Sequence, residues 1–208
     1  MTDPAATHVE FWFDPVCPWT WLTSRWLLEV ADQRPLRIDW NVMSLSVLNA
    51  DKDVPAQYAD LLEKAWGPVR VLTAAKEQYG VEYVLPLFDA MGERFHRDGR
   101  SDYDEILRES VVAVGLPVEV AAAARETRWD DALRASHDRA MTLVGDDVGS
   151  PVIRLPDVPG SGAYFGPVVN PVPRGEDALR LWTGIEALAA TPQLHELKRT
   201  RNGEPVID

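Results

Sequence analysis

The sequence predicts an α/β fold in which a βαβ unit and a ββα unit flank an all-helical block, and three observations predict it. "HVEFWF" (8–13) and "LRIDWNVM" (36–43) read as buried strands on either side of a helical stretch. Residues 54–144 carry helical periodicity with hardly any strand signal. Strand character then returns at "PVIRL" (151–155) and "AYFGPVV" (163–169), before a closing helix over 176–189.

The first strand alternates and is rich in aromatic residues. After it, Trp19, Leu22, Trp26 and Val30 recur at spacings of three, four and four, which sets all four on one helical face. A crossover of that length lets the two flanking strands pair in parallel. In the block that follows, a helix is expected over 55–66, closing at Gly67-Pro68, where the proline suits the first turn of a second helix running to Tyr79. A third helix lies near 85–95. Ser101 with Asp104 resembles a capping box and opens a helix that stops at Gly115; Thr127 with Asp130 repeats that signal before "ALRASHDRAMTLV", and Pro117 begins a short helix between them. The turn-forming "PGSG" (159–162) separates the last two strands, and "KRTRNGEPVID" (198–208) is a polar surface tail. The expected units are therefore 1–53 with 145–208, and a helical insertion over 54–144.

With 208 residues and 46% apolar composition, the chain can bury a real core. A net charge of −12 and the lack of a long basic run argue against nucleic acid or an anionic membrane as partner. No stretch approaches the roughly 18 apolar residues of a membrane span. "MTDPAATHVEF" lacks the basic start and apolar core of a secretory signal, so the cytoplasm is the expected location. The single cysteine, Cys17, cannot form an internal disulfide, and a reducing compartment would keep its thiol available.

An unpaired cysteine is commonly a small buried hydrophobe. Here it follows a strand by a few residues and immediately precedes Pro18, which is favoured at the first helical position. Cys17 thus becomes the N-cap, facing free backbone N–H groups and the positive end of the helix dipole. Cysteines so placed have pKa values lowered from about 8.5 to roughly 3.5–7.5, so a reactive thiolate is expected. One turn along, Thr20 either donates a further hydrogen bond to the sulfur or is an ordinary first-turn threonine. A strand, a cysteine and a helix N-terminus in that order resemble the thioredoxin fold, which sets a cis-proline beside the cysteine at the start of a later strand. "VGSPVIRL" offers Pro151 for that position, the other reading being a trans-proline that simply starts a strand. Ser150 before it would present its backbone groups to an incoming thiol compound.

With those residues, the chain resembles the DsbA-like branch of the thioredoxin superfamily, in which an all-helical domain is inserted between the second and third strands. More closely it resembles the actinobacterial mycothiol-dependent nitroreductase family. The likeness runs over nearly the whole chain and rests on "FWFDPVCPWTW", "VMSLSVLN", "VGLP", "SPVI", "YFGPVVNPVPRGEDALRLW" and "ELKRTR". It implies reduction of substrates at the expense of mycothiol, a cosubstrate rather than a tightly bound cofactor, in a pocket between core and insertion. By that resemblance Pro18, Trp19, Ser150 and Pro151 meet the thiol, while Asn49 and Tyr58 line the substrate side. By residue type alone, Asn49 is equally a capping or loop residue and Tyr58 a core tyrosine. Trp21 flanks the thiol and is expected to meet a ligand. His96 either reaches the cleft as an acid or base or is a solvent-facing residue at a helix end. The expected partners are a low-molecular-weight thiol and a small electrophile, for which eight tryptophans leave room for an aromatic pocket. Relatives are often dimeric, so a homodimer is expected, although no sequence feature fixes an interface.

One departure changes the chemistry. The family pattern Cys-Pro-Trp-Cys here ends in Thr20, so the resolving thiol is missing and a second thiol must come from solution. Three readings follow. The first is a monothiol, mycothiol-dependent thiol-disulfide oxidoreductase or nitroreductase-like enzyme acting through Cys17. The second is a kappa-type thiol transferase or 2-hydroxychromene-2-carboxylate isomerase-like enzyme, in which bound mycothiol is the nucleophile. The third is a redox-inert, ligand-binding protein. His8, His96, His137 and His195 lack metal-ligand spacing, so no metal is expected. "PGSGAYFG" lacks the strand and helix context of a phosphate loop, and nothing suggests a flavin or nicotinamide site.

Overall fold

The computed structural model describes residues 6–160, 162–201 and 203–207. Strands β1 (Thr7–Phe13) and β2 (Leu36–Val42) pair in parallel, with Phe11 opposite Trp40, and helix α1 (Pro18–Ala31) crosses between them. On the other side of β1, β3 (Val152–Arg154) runs antiparallel, and β4 (Ala163–Phe165) pairs antiparallel with β3. The strand order is β2-β1-β3-β4, and α7 (Gly175–Ala189) closes the chain's regular structure. This is the thioredoxin-type arrangement predicted above, with helices interposed between β2 and β3.

Alternation along β1 sends side chains to two layers. Val9, Phe11 and Phe13 enter the main core with Trp26 and Leu27 of α1 and Trp182 of α7. Trp26 also donates its indole N–H to the Ala178 carbonyl at 3.1 Å, tying α1 to α7. On the opposite face Trp12 packs with Met43, Ala140 and Val152 and donates to the Ser136 carbonyl at 3.1 Å. There Glu10 accepts from Arg139 at 2.7 Å and Arg154 at 2.9 Å, so a largely buried carboxylate is doubly paired.

Between β2 and β3 lie α2 (Leu45–Leu48), α3 (Ala56–Tyr79), α4 (Val84–Gly92), α5 (Tyr103–Ala113) and α6 (Asp130–Val144). The break expected at Gly67-Pro68 does not occur: α3 runs through it. Proline inside a helix costs about 3 kcal/mol, but Ala65, Pro68, Val69, Val71 and Leu72 are all buried here. Fully burying one valine or leucine returns about 1.5–3 kcal/mol. Gly67 lies beside this packing, where a Cβ would make an ordinary contact with that of Ala124.

The remaining differences are local. The third helix of the block ends as α4 at Gly92 and continues as a π turn, Glu93–Arg97. Asp102, not Ser101, caps α5 by accepting from the Glu105 N–H at 3.1 Å. Thr127 falls within a 3-10 turn, Thr127–Trp129, and does not cap α6. The short α2 went unpredicted; its cap is Ser44, whose hydroxyl accepts from the Val47 N–H at 3.2 Å. β4 stops at Phe165, ahead of the cis Gly166–Pro167 bond, and is shorter than expected. Ser161 of "PGSG" lies outside the described residues.

Candidate active site around Cys17

Cys17 is the N-cap of α1, with extended φ −81° and ψ 112°, and Pro18 holds the first helical position. Cys17 is 6% exposed, and its thiol donates to the Ser150 carbonyl across 3.6 Å. The Ser150–Pro151 bond that begins the β3 segment is cis. The Ser150 hydroxyl accepts from the Asp14 N–H at 3.0 Å and lies 2.6 Å from the Thr20 hydroxyl. Thr20 and Asp14 are wholly buried. A strand end, a helix start and a strand start thus converge on one sulfur.

The sulfur's electrostatics differ from the expectation. In this arrangement burial pushes the Cys17 thiol up, and the nearby Asp14 charge adds to that. The Thr20 hydroxyl and the N–H groups of Thr20 and Trp19 pull it down, as a helix N-terminus should. Desolvation wins, so the enclosed state holds a thiol and not the thiolate expected from the helix end alone.

Asp14 was missed by sequence reasoning, because an aspartate before a proline reads as a turn residue. Its carboxyl accepts from the Val16 N–H at 3.0 Å and the Leu45 N–H at 2.7 Å, joining the cysteine loop to α2. Burial nevertheless raises it to about 7, against the lowering effect of those two bonds. The available signal was its place, directly after an apolar strand and three residues before the only thiol.

Around the sulfur lie Leu45, Leu48 and Leu62, with Trp19, Val54, Tyr58 and Met141 packed against them. Trp19 and Tyr58 are therefore brought to the thiol, and burial with the Cys17 and Asp14 charges pushes the Tyr58 phenol up. Asn49 is the C-cap of α2 and donates its amide to the Leu45 carbonyl at 2.8 Å, the capping alternative left open above.

Trp21 corrects an expectation. Two residues beyond Trp19 on a helix, it points into the core, 3% exposed and edge-on to Phe88 at 5.7 Å, with the Arg25 guanidinium 4.0 Å above its ring. Gly92 seats that ring, since a Cβ there would come within 2.1 Å of it. His96 is likewise neither a solvent-facing helix end nor a free base. Its Nε2–H donates to the Pro15 carbonyl at 2.8 Å, and burial lowers it to about 4. It ties the π turn to the loop that carries Cys17.

The polar tail reaches the same region. Asn170 donates to the Glu204 carbonyl at 2.9 Å and accepts from the Val206 N–H at 2.8 Å, while the Arg201 guanidinium stands 5.4 Å over the Trp19 ring.

With this geometry the comparisons agree. A family model described as mycothiol-dependent nitroreductase Rv2466c, Rv2466c-like, matches residues 16–199. An uncharacterized protein of Mycobacterium tuberculosis, Rv2286c, is 29% identical over 199 residues, covering 94% of this chain and 83% of that protein. Among solved structures, the chain resembles a probable DsbA oxidoreductase of Streptomyces coelicolor, SCO1869, with a TM-score of 0.58 and 21% identity over 93% of this chain and 94% of that one. It also resembles the cytosolic disulfide reductase DsbM of Pseudomonas aeruginosa, with a TM-score of 0.52 and 16% identity over 86% and 98% of the two chains. The solved structures establish a DsbA-like thioredoxin fold.

Proposed function

The chain belongs to the Rv2466c-like family of mycothiol-dependent nitroreductases, an oxidoreductase family, and we propose that it acts as a monothiol reductase through Cys17. The observation that carries this reading is the placement of its only thiol at the start of α1, against Ser150 and the cis Pro151. In the first step the Cys17 thiolate attacks a mycothiol-bound substrate disulfide. A Cys17–mycothiol disulfide forms, the old disulfide breaks, and the substrate leaves as thiolate. A second mycothiol thiolate then attacks the mycothiol sulfur of that adduct, releasing Cys17 as thiolate and mycothiol as its disulfide. Thr20 has no sulfur with which to replace the external thiol.

With Cys17 buried among Leu45, Leu48 and Leu62, its sulfur would meet a substrate once that packing gives way. Water admitted at that moment removes the desolvation that holds the thiol up. The Thr20 hydroxyl and helix-end N–H groups then favour the thiolate as attacker and as leaving group. Trp19 and Tyr58 would flank the bound thiol compound, and Asn49 would serve from the end of α2.

The raised thiol also supports a second reading. A neutral Cys17 S–H could donate to the thiolate of bound mycothiol, leaving the cosubstrate as nucleophile in the manner of a thiol transferase or isomerase. Mass spectrometry of the parent and Cys17→Ser after incubation with oxidised mycothiol separates the two. One mycothiol adduct on the parent and none on the variant supports the monothiol route. Undiminished turnover in Cys17→Ser favours the second reading, and a parent with neither adduct nor turnover leaves a ligand-binding protein.

A further inference from the structure

We propose that the Ser150 hydroxyl is a positioning group that orients Thr20, so that the single Thr20 proton is directed at the Cys17 sulfur when that sulfur is a thiolate. The inference rests on the reading of Cys17 as the reactive group and deepens it.

The Asp14 N–H donates to Ser150 Oγ at 3.0 Å, so that oxygen already accepts one bond. Between Ser150 Oγ and Thr20 Oγ1, 2.6 Å apart, there is room for one proton only. If Thr20 supplied it, the Ser150 proton would have no acceptor, because among the described residues Ser150 Oγ touches no other partner. A buried hydroxyl left with an unspent donor is costly. If Ser150 supplies it, the Thr20 proton is left for the Cys17 sulfur, the one other group on which the Thr20 hydroxyl acts. The chain then runs in one direction, from the Asp14 N–H through Ser150 and Thr20 to Cys17.

Ser150 therefore acts on the sulfur in two opposed ways. Its carbonyl accepts the S–H at 3.6 Å and favours the thiol. Its hydroxyl, through Thr20, favours the thiolate, and a hydrogen bond to an ionised group is stronger than one between neutral groups. One residue thereby provides a partner for each protonation state, with no movement of the backbone.

Alkylation of the lone thiol by iodoacetamide as a function of pH tests this, since the rate follows the thiolate fraction. Other titrating groups facing the site are Asp14 from the loop after β1, Tyr58 from α3, His96 through Pro15, and Tyr103 of α5, which feels the Asp14 charge. All variants are therefore compared with the parent and repeated in an Asp14→Asn background. Thr20→Val is expected to raise the alkylation midpoint by roughly one pH unit. Ser150→Ala should raise it by part of that amount, and the double variant by no more than Thr20→Val alone. Thr20→Ser and Ser150→Thr, which keep the hydroxyls, should stay with the parent. If Ser150→Ala does not fold, Ser150→Gly removes the same hydroxyl and leaves room for a water on the Asp14 N–H. A folded hydroxyl-less variant with the parent's midpoint overturns the proposal, as do shifts that add in the double variant. Because the reaction with iodoacetamide needs no substrate, this outcome is independent of whether Cys17 forms the mycothiol adduct.

Discussion

Replacing His96 with glutamine tests how the helical block grips the cysteine loop. The ring donates to the Pro15 carbonyl at 2.8 Å and is held, by burial, at about 4 against an ordinary value of 6.5. Between those two pH values the unfolded chain binds a proton that the folded chain refuses. The imidazole's contribution to stability is therefore complete above pH 6.5 and is lost as the pH falls toward 4. A gap of about 2.5 pH units at about 1.4 kcal/mol each amounts to about 3 kcal/mol. His96→Gln keeps an N–H that can reach the Pro15 carbonyl but cannot titrate. Urea unfolding of both proteins, followed by tryptophan fluorescence at pH 7.5 and 4.5, reads the difference. The variant should gain on the parent by about 2–3 kcal/mol over that acidification. All other titrating groups are common to both proteins and cancel. Equal losses in parent and variant would refute the reasoning.

Asp14 should work in the opposite sense. Its folded value near 7 lies above that of the unfolded chain, so its protonated form favours the fold as the pH drops from 7 toward 4. Asp14→Asn should lose a contribution on the order of 4 kcal/mol over that window, seen as a flatter or falling stability curve in the same assay. Thr20→Cys restores a second sulfur one turn after Cys17. After treatment with oxidised mycothiol it should yield an internal disulfide by mass spectrometry, where the parent retains the adduct. Gly92→Ala forces a methyl into the Trp21 ring and should cost about 1–3 kcal/mol, measured as a lowered Tm by calorimetry.

What could be read in advance was local. Cys17 as N-cap and Pro18 behind it follow from neighbouring residues, and so does the strand that begins after Pro151. The Asp14–Ser150–Thr20 arrangement could not be read that way, because Ser150 is 136 residues from Asp14 and 130 from Thr20, and only folding aligns their hydroxyl and N–H groups. The same reason explains the thiol. The helix-end rule correctly identified the groups that lower it, but enclosure by Leu45, Leu48 and Leu62 is a tertiary fact. Pro68 is the reverse case, a strong local breaker overruled by burial of the helix around it. Trp19 and Trp21 needed one more step of helical geometry: two positions apart on α1, they could not share one face.

The absence of a second cysteine has a consequence for oxidative damage. When peroxide takes a thiolate to sulfenic acid, a neighbouring cysteine ordinarily captures it as a disulfide before further oxidation to sulfinic acid, which few systems reverse. This chain has no second cysteine to do so. Its safeguard is the enclosure itself: a buried cysteine whose thiol is bonded to the Ser150 carbonyl presents little thiolate to a passing oxidant. The apolar packing of Leu45, Leu48 and Leu62 beside Cys17 thus shelters an unaccompanied thiol.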